Sequence, residues 1–342
     1  MTRGRVEVVL HESRLLEGNP LGDPTTRELG VYLPPGYDHG AGRYPVVLVL
    51  PGYTGTGLGL VARSAWQLPL DRRMDQLIAD GRAAAAILVL PDCFTRYGGS
   101  QYVDSPAIGR YASYLCDEIV PFVDGRFRTT GRHGVVGKSS GGYGALHLAM
   151  TRPGVFSAAA SHAGDCAFDI SYRRELPTVA ARIDAAGGLE RYLARFEAAA
   201  SKSSADIEAM SLICCAAAWS PSSSASTADA PYGFGTGFEL PMALRTGELR
   251  PDVWARWLAA DPLHLVERYA DALRGLSLLF LDAGRSDEYA LQLGARQLAD
   301  ALTAHGIAHV HEEFDGGHRH TAHRYDRSLA LVSNVLQREG AV

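Results

Sequence analysis

An apolar strand pattern that runs through a glycine-framed serine directly into a helical pattern leaves a chain few ways to fold. Here it reads Val135-Val136-Gly137-Lys138-Ser139-Ser140-Gly141-Gly142-Tyr143-Gly144-Ala145-Leu146. A residue at so tight a strand-to-helix turn takes strained φ/ψ. Glycines two positions to either side remove the Cβ atoms that would hold strand and helix apart. The turn also sets Ser139 at a helix N-terminus, where unpaired backbone N–H groups and the helix dipole favour negative charge. Such a turn requires a sheet with helices packed on it.

The rest of the chain supplies that sheet. Val6–Leu10, Gly30–Leu33, Val46–Leu50, Ala85–Leu90, Gly134–Val136, Ala158–Ser161, Leu276–Leu281 and Ala308–Glu313 read as strands. The continuous apolar run of Val46–Leu50 suits a central strand buried on both faces. Trp66–Asp80, Tyr111–Val123, Gly142–Met150, Ala290–His305 and Tyr325–Gln337 carry helical periodicity between them. The expectation is an α/β fold with about eight mostly parallel strands flanked by helices. One interval breaks the rhythm, because more than a hundred residues separate Ser161 from Leu276. It contains helical stretches at 189–200, 206–218 and 251–258 and a Ser-rich loop at 220–231. A structureless loop of that length is out of place in a compact domain. Residues 167–270 are therefore expected to form a helical cap inserted into a single domain, 1–342.

A serine hydroxyl is a poor nucleophile until a base accepts its proton and a third group orients that base. Where the serine sits on a strand–turn–helix elbow, the partners follow in the order acid, then histidine, on loops after later strands. Strand Leu276–Leu281 is followed by Asp282-Ala283-Gly284-Arg285-Ser286-Asp287-Glu288. Asp287 lies out on that loop and is favoured, with Asp282 at the strand end as second choice. The last strand runs into Phe314-Asp315-Gly316-Gly317-His318, which makes His318 the expected base and leaves His320 and His323 to the surface. An oxyanion hole needs two converging N–H groups. Ser140 follows the serine, and Tyr53 lies in the glycine-rich loop Pro51-Gly52-Tyr53-Thr54-Gly55-Thr56-Gly57, whose Gly52 and Thr54 would face substrate.

Other readings of these residues fail on spacing. A phosphate-binding loop ending at Gly137-Lys138-Ser139 needs glycine where Arg132 stands. Ser161 also follows a strand, but alanines occupy both flanking glycine positions. The histidines at 309, 311, 318, 320 and 323 lack the carboxylate spacing of a metal-dependent hydrolase, so neither metal nor cofactor is expected.

These residues resemble the esterase D-like "putative esterase" family of α/β-hydrolases, which includes S-formylglutathione hydrolases, enterochelin esterases, feruloyl esterases and mycolyltransferases. The resemblance runs from Gly18–Pro24 and Val31–Tyr37 through Gln101–Ser105 and Gly137–Leu146 to Phe314–His318. It implies the α/β-hydrolase fold, Ser139 as nucleophile, Asp287 as acid, His318 as base, and Tyr53 and Ser140 as oxyanion donors. Three features depart from the family pattern. Ser140 stands where formylglutathione hydrolases usually carry methionine, Pro51 stands where many members carry histidine, and the segment between Gly164 and Leu276 is long.

The functional expectation is a serine carboxylic-ester hydrolase acting through an acyl-enzyme on a small-molecule ester or thioester. Transfer of the acyl group to an alcohol acceptor is the alternative within that chemistry. A non-catalytic binding protein on a hydrolase scaffold is the alternative outside it. Aromatic residues gather in the insertion, and Trp219, Phe234 and Phe238 are candidates to line the substrate pocket. The net charge of −5 gives no basic field for nucleic acid or acidic membranes. Met1–Arg5 leads into a strand pattern without an apolar leader, and the cysteines at 93, 116, 166, 214 and 215 lack metal-ligand spacing. A cytoplasmic location is expected, and a homodimer is left open.

Overall fold

The computed structural model describes residues 3–222 and 237–339. Eight strands form one sheet: β1 (Arg5–Glu12), β2 (Thr26–Leu33), β3 (Tyr44–Leu50), β4 (Ile87–Leu90), β5 (Thr129–Lys138), β6 (Ala158–His162), β7 (Leu278–Gly284) and β8 (Val310–Phe314). Their spatial order is β1-β2-β4-β3-β5-β6-β7-β8. The β1–β2 and β2–β4 pairs are antiparallel, and every other neighbouring pair is parallel. This is the α/β-hydrolase fold.

Period-two alternation divides the central strands between two apolar layers. Val46, Leu48, Leu50, Ile87, Val89 and Val135 join one buried cluster, while Val47, Val49, Leu88, Leu90 and Val136 join the other. The second layer is closed by α1 (Leu70–Ala79) and by the C-terminal helix Tyr325–Arg338 through Met74, Leu77, Leu329, Val332 and Leu336. The first layer takes α2 (Ser140–Thr151) and the helical run through Tyr111–Ser113, Tyr114–Ile119 and Val120–Arg126, whose middle turn is a π-helix. Helix α1 begins four residues later than its periodicity suggested, because Pro69 caps it and Trp66 stands fully exposed on the preceding loop.

Between β6 and β7 the chain builds α3 (Leu176–Ala185), α4 (Leu189–Ala198), α5 (Ser204–Trp219) and α6 (Pro251–Leu258). Helix α5 is apolar nearly all round and buried accordingly. The segment's aromatic residues pack on one another. The Phe168 and Trp219 rings stack at 4.4 Å, and Trp219 meets Trp257 edge-on at 5.1 Å. The indole N–H of Trp219 donates to the Tyr143 hydroxyl at 3.0 Å, which ties the segment to α2. Asp261, fully buried, accepts from the backbone N–H groups of Ala167, Phe168 and Leu263, so one carboxylate joins the segment's start to its end.

This packing corrects the expectation for Trp219 and Phe238. Trp219 belongs to the aromatic core, and Phe238 packs edge-on against Tyr97 at 5.9 Å. Neither faces the cavity described below, because their apolar area is already covered by neighbouring rings. Phe234, and the Ser-rich loop from 223 onward, lie outside the described residues. Among the described residues no helix is long and apolar enough to cross a membrane.

Trp257 is buried against Trp219, Tyr172 and Trp254, and its N–H donates to Ser220 Oγ at 3.0 Å. Trp257→Ala is expected to cost about 3–5 kcal/mol, read as a lower urea midpoint. A loss below about 1 kcal/mol would show that the segment's core adds little to the stability of the whole.

Candidate active site

The site is assembled at the carboxyl ends of β3, β5, β6, β7 and β8. Ser139 lies between β5 and α2 with φ 57° and ψ −125°, a conformation that side chains rarely adopt. The framing glycines make it accessible. A Cβ on Gly137 would fall 2.0 Å from the Gly141 carbonyl oxygen, and one on Gly141 would fall 2.1 Å from the Leu50 carbonyl oxygen. The first turn of α2 is thus pressed onto the ends of β3 and β5 too closely for any side chain at either position.

Three residues named from sequence meet here. His318 Nε2 is 3.0 Å from Ser139 Oγ, and His318 Nδ1 is 2.8 Å from Asp287 Oδ2. The Asp287 side chain is fully buried, and its other oxygen accepts the Tyr289 N–H at 2.9 Å. The Tyr289 ring stands edge-on to the imidazole at 4.9 Å. Glu288 accepts the His318 backbone N–H at 2.5 Å, and that bond holds the Glu288 carboxyl below the usual carboxylate range. Sequence reading gave Glu288 no such part in placing the histidine loop.

Asp282 is committed elsewhere. One of its oxygens pairs with His162 Nδ1 at 2.7 Å and the other accepts from Arg324 Nε at 2.7 Å. His320 and His323 are exposed. Among the described residues no group of three His, Cys, Asp or Glu side chains is placed to hold a metal ion.

Gly52, Tyr53, Thr54 and Ser140 line one cavity of about 380 Å³ together with Ser139 and His318. A Cβ on Gly52 would lie 3.3 Å from Ser139 Cβ, so the loop backbone runs close beside the serine. The Tyr53 hydroxyl donates to the Tyr97 carbonyl at 2.7 Å and Thr54 N–H donates to the Gly98 carbonyl at 3.0 Å, which fixes that loop. The backbone N–H groups of Tyr53 and Ser140 have no acceptor among the described residues. The far wall comes from the segment between β6 and β7, through Tyr172, Val179, Ile207 and Leu212. The helical spacing of Ile207, Ser211 and Leu212 was visible in the sequence, but nothing local said which face would look into the site.

A family model described as "Putative esterase" matches residues 24–330. No curated protein sequence matches the chain. Among solved structures, a ferulic acid esterase aligns with a TM-score of 0.60 at 17% identity, over 98% of this chain and 100% of its own. The S-formylglutathione hydrolase of Agrobacterium tumefaciens aligns at 0.59 and 18% identity, over 98% of this chain and 97% of its own. That of Staphylococcus aureus aligns at 0.57 and 14% identity, over 98% and 100%. At such identities the likeness is one of fold.

Two charged side chains on the cavity are perturbed by burial. Lys138 is pushed down by desolvation, against the pull of Asp287 and Glu288. Asp165 is pushed up to about 6 by burial, a hydrogen bond from Tyr172 opposing the shift. A carboxyl raised in the folded state lends stability below its unfolded value, near 3.8, and loses it as pH rises through about 6. Asp165→Asn is therefore expected to be more stable than the parent at pH 7.5 by about 1–3 kcal/mol, read as a higher Tm, with the gap closing towards pH 4. A lower Tm for the variant at pH 7.5 would overturn this.

Proposed function

The chain belongs to the esterase family whose model spans residues 24–330 and is a serine carboxylic-ester hydrolase; on that premise we propose that Ser139 is its nucleophile, His318 the general base and Asp287 the residue that orients the base. The observation that carries the assignment is the unbroken line Ser139 Oγ–His318–Asp287, with spacings of 3.0 and 2.8 Å, ending in a cavity with two unused N–H groups.

With Nδ1–H donating to Asp287, the imidazole presents Nε2 as an acceptor for the Ser139 proton. Ser139 Oγ adds to the ester carbonyl, the C–O double bond becomes an alkoxide, and the N–H groups of Tyr53 and Ser140 stabilise it. The dipole of α2 adds to that field because Ser139 sits at its N-terminus. The tetrahedral species collapses as the imidazolium hands its proton to the leaving alcohol or thiol, which leaves an acyl-enzyme on Ser139. Water, deprotonated by His318, attacks the acyl carbon. Collapse releases the acid and returns the proton to Ser139. Asp287 stays ionised and stabilises the imidazolium in both halves.

The cavity suits a small-molecule ester or thioester, and the described part of the segment 167–270 acts as a cap that closes one side of it through Tyr172, Val179, Ile207 and Leu212. Five free, buried cysteines favour a reducing, cytoplasmic setting.

Ser139→Ala is expected to lower kcat on p-nitrophenyl esters by about 10⁴ or more and to abolish fluorophosphonate labelling. Near-parental turnover in that variant would end the assignment. The choice of acid is tested by a pair of variants. Asp287→Asn should lose about 10⁴ in kcat at a near-parental Tm. Asp282→Ala should instead lose about 3–5 kcal/mol of stability, because it strips buried His162 of its carboxylate and leaves Arg324 with Glu312 alone. The reverse pattern would make Asp282 the acid.

A further inference from the structure

The catalytic cavity holds a buried carboxylate that the mechanism leaves unused. Asp165 is 6% exposed and lines the same cavity as Ser139 and His318. It is pinned beside the nucleophile's helix, because a Cβ on Gly142 would fall 2.8 Å from the Cα of Gly164, its chain neighbour. Its Oδ2 accepts from the Tyr172 hydroxyl at 2.8 Å. Its Oδ1 has no donor, and no Lys or Arg pairs with it, among the described residues. The charged groups it feels in the cavity are His318 and Asp287, and neither is hydrogen-bonded to it.

A second buried acceptor lines the same cavity. Gln101 is 2% exposed, and it and Tyr102 are held at positive φ, 50° and 56°. Its Nε2 donates to Cys215 Sγ at 2.9 Å, while its Oε1 finds no partner. A buried acceptor without a donor is costly, and a buried carboxylate with a single hydrogen-bond donor and no ion pair is costly as well. If tying down Tyr172 were the whole task, an asparagine would serve without that cost.

We infer that Asp165 recognises a hydrogen-bond-donating group, a hydroxyl or an ammonium, on the substrate, and that esters bearing such a group are the class this site accepts. The inference rests on Ser139 being the nucleophile. A donor entering the cavity satisfies Asp165 Oδ1, and its absence leaves that oxygen stranded, which is how a hydrogen-bonding site discriminates most strongly.

The test compares p-nitrophenyl butyrate with p-nitrophenyl 3-hydroxybutyrate and 3-aminobutyrate, and propyl butyrate with its 2-hydroxyethyl and 2-aminoethyl counterparts. The parent, Asp165→Asn and Asp165→Ala are assayed side by side. The readout is the ratio of kcat/KM between donor-bearing and plain esters, because comparing that ratio across proteins cancels intrinsic reactivity. In at least one series the ratio should fall about ten- to a hundred-fold in the variants. A larger fall for the amino ester identifies ammonium as the group, and a larger fall for the hydroxy ester identifies hydroxyl. Ratios unchanged within twofold in both series, with Ser139 still labelled by fluorophosphonate, would overturn the role of Asp165 alone. A parent protein that hydrolyses none of the esters and is not labelled would overturn the nucleophile assignment, and this inference with it.

Discussion

The architecture turns on one close approach: the first turn of α2 against the carbonyl ends of β3 and β5. Two glycines permit it, and Ser139 bears the resulting strain at φ 57°. Once that contact is made, the Ser140 N–H is left without an acceptor among the described residues, and the loop after β3 runs close beside Ser139. The positions of Ser139, of the Ser140 N–H and of the opposing loop are therefore consequences of a single packing event. Strain of this kind persists only where the surroundings over-determine it. Here they do, because β3 and β5 are buried on both faces.

A second contrast shows what distinguishes a site from a brace. Ser328 Oγ, His162 and Asp282 form a hydrogen-bonded row with spacings of 2.7 and 2.7 Å, the same atom types as Ser139, His318 and Asp287. All three are buried at or below 3% exposure, and Arg324 occupies the carboxylate's remaining oxygen. Ser328 is fully buried, so the row braces β6 and β7 to the C-terminal helix. The outer row differs only in what adjoins it, an open cavity and two unused donors. Function here resides in access and in the oxyanion field rather than in the row of three groups.

That contrast also explains what the sequence made legible. Strand runs, the elbow and the Gly-Gly-His turn are local patterns, and local patterns survive folding. The eight strands and the meeting of Ser139 with His318 could be anticipated for that reason. Choosing between Asp282 and Asp287 was harder, because the competing partners, His162 and Arg324, come from strands and helices far along the chain. The register sets His162 opposite Asp282 and so commits that carboxylate to a partner 120 residues earlier. Aromatic residues misled for a related reason. Trp219 and Phe238 share a composition with pocket residues, but composition does not say whether a ring covers another ring or a ligand. Asp165 carried no local signal at all, since a carboxylate after a strand is ordinarily a turn residue.

Helix α5 links these threads. Its inner face places Cys214, Cys215 and Trp219 in the core, and its first turns present Ile207, Ser211 and Leu212 to the cavity. Cys215 also touches both Gln101 and the Tyr172 hydroxyl that holds Asp165. The groups that would read a substrate are thus hung from the same helix whose burial stabilises the whole segment. Rotating α5 to reshape the wall would uncover Trp219 from Phe168 and Tyr143, at the cost of core packing. The recognition wall is in consequence preorganised, and an ester must fit the polar groups it finds there rather than draw them into place.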